Sequence, residues 1–217
     1  MFFAGSSFAQ EFQQSYKQYE FGPFATGGLS VFQGDVPDGS KTDIHIAYTF
    51  GALADYAFNR EWGLALGVGY ESRGMYFHQQ ANDPPNESIT LNYITIQPSL
   101  KFKSFLLGIN IGIPASNNVD YNLNNYNGVN LGKSSKSYGS DSINLLLDIR
   151  AAGVLPLVEN DNGDLDFIVQ ASYCISNAIG KGFYTVGQTT STAITKSPIP
   201  TFQIGLSYLF SPGGKVY

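Results

Sequence analysis

Four carboxylates and four cations fall on one parity of the chain's alternating segments: Asp55, Glu71, Asp148 and Asp166 against Arg73, Lys101, Lys103 and Arg150. Paired carboxylates could work as an acid and a base if their surroundings kept one protonated and the other ionised. The equality of signs favours another use. Charges taken out of water are tolerated when each has an opposite partner, and one left alone costs several kcal/mol. The set is therefore read as a structural network in which Arg73 and Arg150 pair with carboxylates. Asp166, Lys101 and Lys103 have an alternative place, at strand ends in solvent.

Nucleophilic and metal chemistry have less to draw on. His45 and His78 are the two histidines, and neither lies in a pattern that supplies a nucleophile and an orienting partner. Cys174 is the single cysteine, so no internal disulfide and no Cys/His zinc cluster can form. The 24 glycines contain no glycine-rich turn opening a helix, which removes support for nucleotide binding. No catalytic residue, cofactor or metal is expected. A net charge of −5 lacks the basic footprint of a nucleic-acid partner.

These residues are carried by strands. Alternation of period two runs through about 23–33, 44–58, 62–77, 89–103, 105–113, 143–155, 165–177 and 200–210, with Gly, Pro, Asn and Asp between the runs. In the third, Trp62, Leu64, Leu66, Val68 and Tyr70 share one face, opposite Gly63, Ala65, Gly67, Gly69, Glu71 and Arg73. In the last, Phe202, Ile204, Leu206, Tyr208 and Phe210 oppose Gln203, Gly205 and Ser207. No run approaches the 18 or so apolar residues of a spanning helix. The links alternate in length: those near 59–61 and 104 are tight, whereas 34–43, 78–88, 114–142 and 178–199 are long.

Short turns at one end and long loops at the other are the habit of outer-membrane barrels, whose long loops are extracellular. A small or polar second face suits the interior of a narrow barrel. Aromatic residues near the ends of the oily face suit its two girdles. The expectation is an all-β, eight-stranded antiparallel up-and-down transmembrane β-barrel. Its lipid face carries Trp62, Leu64, Leu66, Val68, Tyr70, Phe202, Ile204, Leu206, Tyr208 and Phe210. The eight charges line a mostly closed lumen, with Glu71 and Arg73 pairing to a neighbouring strand and His45 near the extracellular rim. Asp120 and Asp141 in the Asn-rich stretch 114–142 could offer oxygen ligands to calcium, but no calcium-loop repeat accompanies them. A flexible extracellular loop that contacts a ligand or protein partner is the preferred reading.

At this point the chain resembles the small outer-membrane barrel proteins called PorT-like. The resemblance rests on "WGLALGVGYESRGM" (62–75), "LNYITIQPSLKF" (91–102) and the closing "FQIGLSYLF" (202–210). It implies an outer-membrane location and leaves activity open. "MFFAGSSFAQ" reads as the end of a secretory signal with cleavage after Ala9. The expected organisation is thus a signal remnant at 1–9, a periplasmic segment at 10–22, the barrel at 23–210 and a tail at 211–217. The expected function is porin-like or structural, with membrane lipids as partners. Two other readings stay open: a lipid-modifying barrel enzyme, for which the His-x-Ser-Asn arrangement of the lipid A deacylase type is missing, and a soluble lipocalin-like binder.

Overall fold

The computed structural model describes residues 16–34, 40–79, 86–122, 133–138, 143–160, 162–179, 197–212 and 215–216. Eight long strands follow one another: β1 (Tyr19–Ser30), β2 (His45–Ala57), β3 (Trp62–Gln79), β4 (Asn86–Phe102), β5 (Phe105–Asn122), β6 (Leu146–Asn160), β7 (Gly163–Cys174) and β8 (Thr201–Phe210). Each pairs antiparallel with the next, and β8 returns to β1 from Thr201↔Ser30 to Phe210↔Phe21. The sheet is a closed eight-stranded up-and-down barrel, with no helix among the described residues. Closure leaves no continuous strand edge through the barrel body, so the backbone groups of the ladder pair largely with one another and not with water.

The tight turns are set by side-chain chemistry. Asn59 Oδ1 accepts from the backbone N–H of Glu61 and Trp62, both at 2.9 Å, and Asn160 Oδ1 does the same for Asn162 and Gly163 at 3.0 Å. Between β4 and β5 the chain reverses in two residues, with Lys103 at φ 52°. Tyr16–Lys17 pairs with Lys215–Val216, placing both described ends of the chain beside these turns. The expected signal remnant at 1–9 and residues 10–15 of the expected periplasmic segment lie outside the described residues.

Several boundaries differ from those expected, and three differences change the architecture. β1 begins at Tyr19, not 23, because Gly22, Pro23, Gly27 and Gly28 break the visible alternation without breaking the ladder. Residues 114–142 are not one loop: β5 runs on to Asn122 and pairs with a further strand, Lys133–Tyr138. β3 is likewise joined at its far end by Ser40–Asp43. Part of the barrel wall therefore stands above its rim as a broad sheet.

The two faces of that wall exchange polarity along its length. On β3 the outward residues are Trp62, Leu64, Leu66, Val68 and Tyr70, then Ser72 and Gly74, while the inward ones pass from Glu71 and Arg73 to Met75 and Phe77. On β4 the outward Ile96 and Ile94 give way to Asn92 and Thr90, and the inward Gln97 and Thr95 to Tyr93, Leu91 and Ile89. On β5 the outward Ile109 and Ile113 give way to Ser116 and Asn118. The three changes lie level with one another, at the ring-to-ring contact of Phe50 and Tyr70 (5.5 Å). Below that level the sheet is apolar outside and encloses a polar layer with small and apolar side chains beneath it; above it the arrangement on β4 and β5 is that of a water-exposed sheet over a core.

That upper core holds Phe32, Met75, Phe77, Leu91, Tyr93, Leu146, Ile179 and Ile199, all buried. A second apolar cluster, Phe24, Leu53, Ala65, Leu106, Ala152, Ile168 and Leu209, fills the lumen nearer the tight turns. Strands that wrap so small an interior must bend sharply, and Gly205 marks one bend: a Cβ there would lie 1.9 Å from the carbonyl oxygen of Ala25. Gly205→Ala is expected to destabilise the barrel by about 1–3 kcal/mol as β8 is pushed off β1. Gly27→Ala, where a Cβ meets nothing within 4 Å, should leave urea unfolding unchanged.

Candidate functional site: the charged layer of the lumen

Between the two apolar clusters lies a layer of polar side chains. Arg73, with no exposed surface, donates from Nε to Glu71 Oε1 at 2.9 Å and pairs with the same carboxylate through NH2. It reaches across the lumen to Asp148 on β6, NH2 to Oδ2 at 2.6 Å and NH1 to Oδ1 at 3.3 Å, and gives a further bond from NH1 to the carbonyl of Ile199 at 3.0 Å. Asn110 Nδ2 donates to Glu71 at 2.8 Å and to Asp148 at 3.0 Å. One guanidinium and one amide thus bridge two carboxylates from strands on opposite sides of the barrel, each group charge-assisted and fully desolvated.

One step towards the tight turns, Gln203 Oε1 accepts from Thr26 (2.7 Å) and Thr49 (3.0 Å) and from the Gln170 amide, whose own oxygen accepts from Arg150 at 2.7 and 3.1 Å. Arg150 also lies 3.4 Å from Ser99 Oγ. This layer ties six strands together, with the Arg150 guanidinium held by neutral partners.

An exposed aliphatic outer surface, a charged layer within and a closed antiparallel sheet together describe an outer-membrane wall, and a soluble lipocalin-like binder, whose outer face would be polar, is excluded. Residues 8–176 match the family described as "Outer membrane protein beta-barrel domain". The chain belongs to that family. Its place is the cell outer membrane. Among curated proteins none matches it. Among solved structures it is similar to Ail, the attachment invasion locus protein of Yersinia pestis (13% identity, 89% of this chain, 99% of that one, TM-score 0.45). Others are Neisserial surface protein A (12%, 92% and 99%, 0.41) and OprG of Pseudomonas aeruginosa (12%, 90% and 97%, 0.35).

Within this outer-membrane β-barrel domain the expected site residues divide. Glu71, Arg73 and Asp148 meet, but across the lumen and not on a neighbouring strand. Lys101 pairs with Asp55, forming a separate contact nearer the tight turns. Arg150 is buried among neutral partners, so the expectation that it pairs with a carboxylate is corrected. Asp166 faces the lumen and is buried, yet forms no ion pair among the described residues. Lys103 is not a lumen residue: it sits in the turn after Phe102, well exposed, 3.4 Å from Glu61 and over the Phe102 ring at 5.4 Å. Strand parity ends where the turn begins, and Lys103 is one residue past that end.

His45 is also corrected. Its Nε2 lies 3.3 Å from Thr90 Oγ1, and its ring packs on Gly74, both outward positions. The cause is an irregular seam: the β2–β3 register runs from Tyr48↔Ser72 and resumes with Asp43↔Tyr76, one residue displaced. The Ser30 hydroxyl fills the seam, accepting from Gly74 N at 3.1 Å and donating to Gly74 O at 2.8 Å. The side chain of His78 and the residue Asp141 lie outside the described set.

Trp62, Leu64, Leu66, Val68, Phe202, Ile204, Leu206 and Phe210 are exposed on the outer face, and Tyr70 and Tyr208 are half-buried there. At the turn end a cavity of about 670 Å³ is lined by Lys17, Glu20, Arg60, Lys101, Glu159 and Asp164. Lys17 spans it, pairing with Asp164 and donating to Asn160 O at 2.7 Å. The residues missed by sequence reasoning are Asn110, Gln170, Gln203 and Thr26. Their type was visible, but only the register Gln170↔Gln203 brings those two amides together, and only closure of the barrel brings Thr26 to them and Asn110 to Glu71 and Asp148.

Proposed function

We propose that this protein is a structural outer-membrane barrel of the PorT-like kind, non-catalytic and non-conducting. Its aliphatic belt lies against acyl chains, and contact with a ligand or protein partner is made by its extracellular end around 114–142. The observation that carries this reading is Arg73. A fully buried guanidinium held by two carboxylates and the Ile199 carbonyl ties β3, β6 and the segment leading into β8 into one cross-lumen tie. A porin keeps its lumen wet and its charges on the walls. Here the charges meet in the middle, with packed apolar side chains on both sides. The carboxylates and arginine that could have served as acid and base are spent on one another. Reconstituted in planar bilayers, the protein is expected to give no stable ohmic conductance. A persistent large channel would overturn the reading.

A further inference from the structure

Above the level of Tyr70, the outer face of β4, β5 and the added strand is paved with uncharged hydroxyl and amide groups, while Ser72 and Gly74 of β3 are buried there. Thr90 and Asn92 on β4 stand beside Ser116 and Asn118 on β5, with Ser137 alongside in register with Asn118. They are linked laterally: Asn92 Nδ2 donates to Ser116 Oγ at 3.0 Å and Ser137 Oγ to Asn118 Oδ1 at 2.8 Å. The patch measures roughly 15 by 13 Å from strand spacing and rise. Directly beneath it, on the same strands, runs the exposed stripe of Leu66, Val68, Ile94, Ile96, Ile109 and Ile113.

We propose that this patch docks the neutral sugar headgroup of an outer-leaflet glycolipid whose acyl chains lie along the stripe. Continuity is the first argument. The switch from aliphatic to hydroxyl and amide groups occurs at one height on three strands, beside the aromatic pair Phe50 and Tyr70, where a bilayer passes from chains to headgroups. The second is chemistry. Hydroxyls and amides offer donors and acceptors in alternation, which suits a polyhydroxylated ring. A phosphate needs cations, and the patch holds no lysine or arginine among its described side chains; His45, beside Thr90 at 3.3 Å, is its one imidazole, while Asp120 at its upper edge is exposed and repels anions. The proposal rests on the belt being bilayer-facing.

The test is thermal unfolding of the full chain in lauryldimethylamine oxide, a detergent without a sugar. Rough-form lipooligosaccharide, the same lipid dephosphorylated, phosphatidylethanolamine and the free core oligosaccharide are titrated separately. Both glycolipids are expected to bind about tenfold more tightly than phosphatidylethanolamine, and the variant Asn92→Leu/Asn118→Leu is expected to lose that preference while keeping its heat-modifiable gel shift. A second variant, Ser116→Val, covers a misfolded double variant and should lose part of the preference. Equal binding of phosphatidylethanolamine overturns the proposal, as does loss of preference on dephosphorylation. Free oligosaccharide binding as tightly as the glycolipid overturns the lipid as its source. Failure of the bilayer reading itself looks different: the barrel would then fold and stay monomeric without detergent.

Discussion

Arg73→Ala is expected to remove about 3–5 kcal/mol of stability, the cost of leaving buried charge without its partner, with Lys103→Ala at or below about 1 kcal/mol as the exposed comparison. Asn110 contacts Glu71 and Asp148 at 2.8 and 3.0 Å, so the two carboxylates share one small space. Without the guanidinium they would face each other in a desolvated layer, and two like charges so placed cannot both stay ionised. Arg73 also holds the carbonyl of Ile199, 3.0 Å away, in the segment that closes the mouth before β8. Its loss should therefore loosen that closure as well as the wall. The triple change Glu71→Gln/Arg73→Met/Asp148→Asn removes all three charges and is expected to recover most of the loss, because replacing a buried ionic group as a unit is close to neutral. Urea unfolding in lipid vesicles, read by tryptophan fluorescence and the gel shift, decides between these outcomes. If Arg73→Ala costs no more than Lys103→Ala, the cross-lumen tie is not a stability element.

How much of this was readable in the chain depends on whether a feature is local. The placement of Glu71, Arg73 and Asp148 on the inward face follows from parity alone, since a strand sends alternate side chains to opposite sides. Their meeting does not, because β3 and β6 become opposite walls only when the sheet closes. The exchange of polarity on β4 stands in the sequence as the neighbours Tyr93 and Ile94, where the apolar parity changes from Ile89, Leu91 and Tyr93 to Ile94 and Ile96. A single strand with one oily face hides it, as a change of solvent along a strand has no signature except that shift. The Asn- and Ser-rich continuation of β5 reads as loop for the same reason. A strand standing above a bilayer needs no apolar outward face, so composition stops reporting it. Lys103 failed on a boundary, for one left-handed residue ends the alternation that had carried Lys101 inward. His45 failed on a bulge, since one displaced residue turns a side chain to the other face.

Leu66→Arg asks which solvent the outer face meets. Leu66 lies halfway between Trp62 and Tyr70, about 13 Å of strand from either at ~3.3 Å per residue, and it is 47% exposed between Ala54 and Pro98 on the neighbouring strands. An arginine there has little to pair with on this face and would stand near the bilayer midplane, where a cation on a barrel's lipid face costs about 2–4 kcal/mol. Ser135→Arg, exposed on the sheet above the belt, should cost about 0–1 kcal/mol, as expected at or beyond the interface. The difference between the two, measured by urea unfolding in vesicles, is a depth gauge and does not depend on the chemistry of the lumen. A soluble protein with the same strands would tolerate both arginines equally, since exposed surface is insensitive to such changes. Equal costs would therefore place water on both sides of Tyr70 and remove the physical cause for the polarity exchange there. A graded cost would show that Trp62 to Tyr70 marks the span of wall that lipid touches.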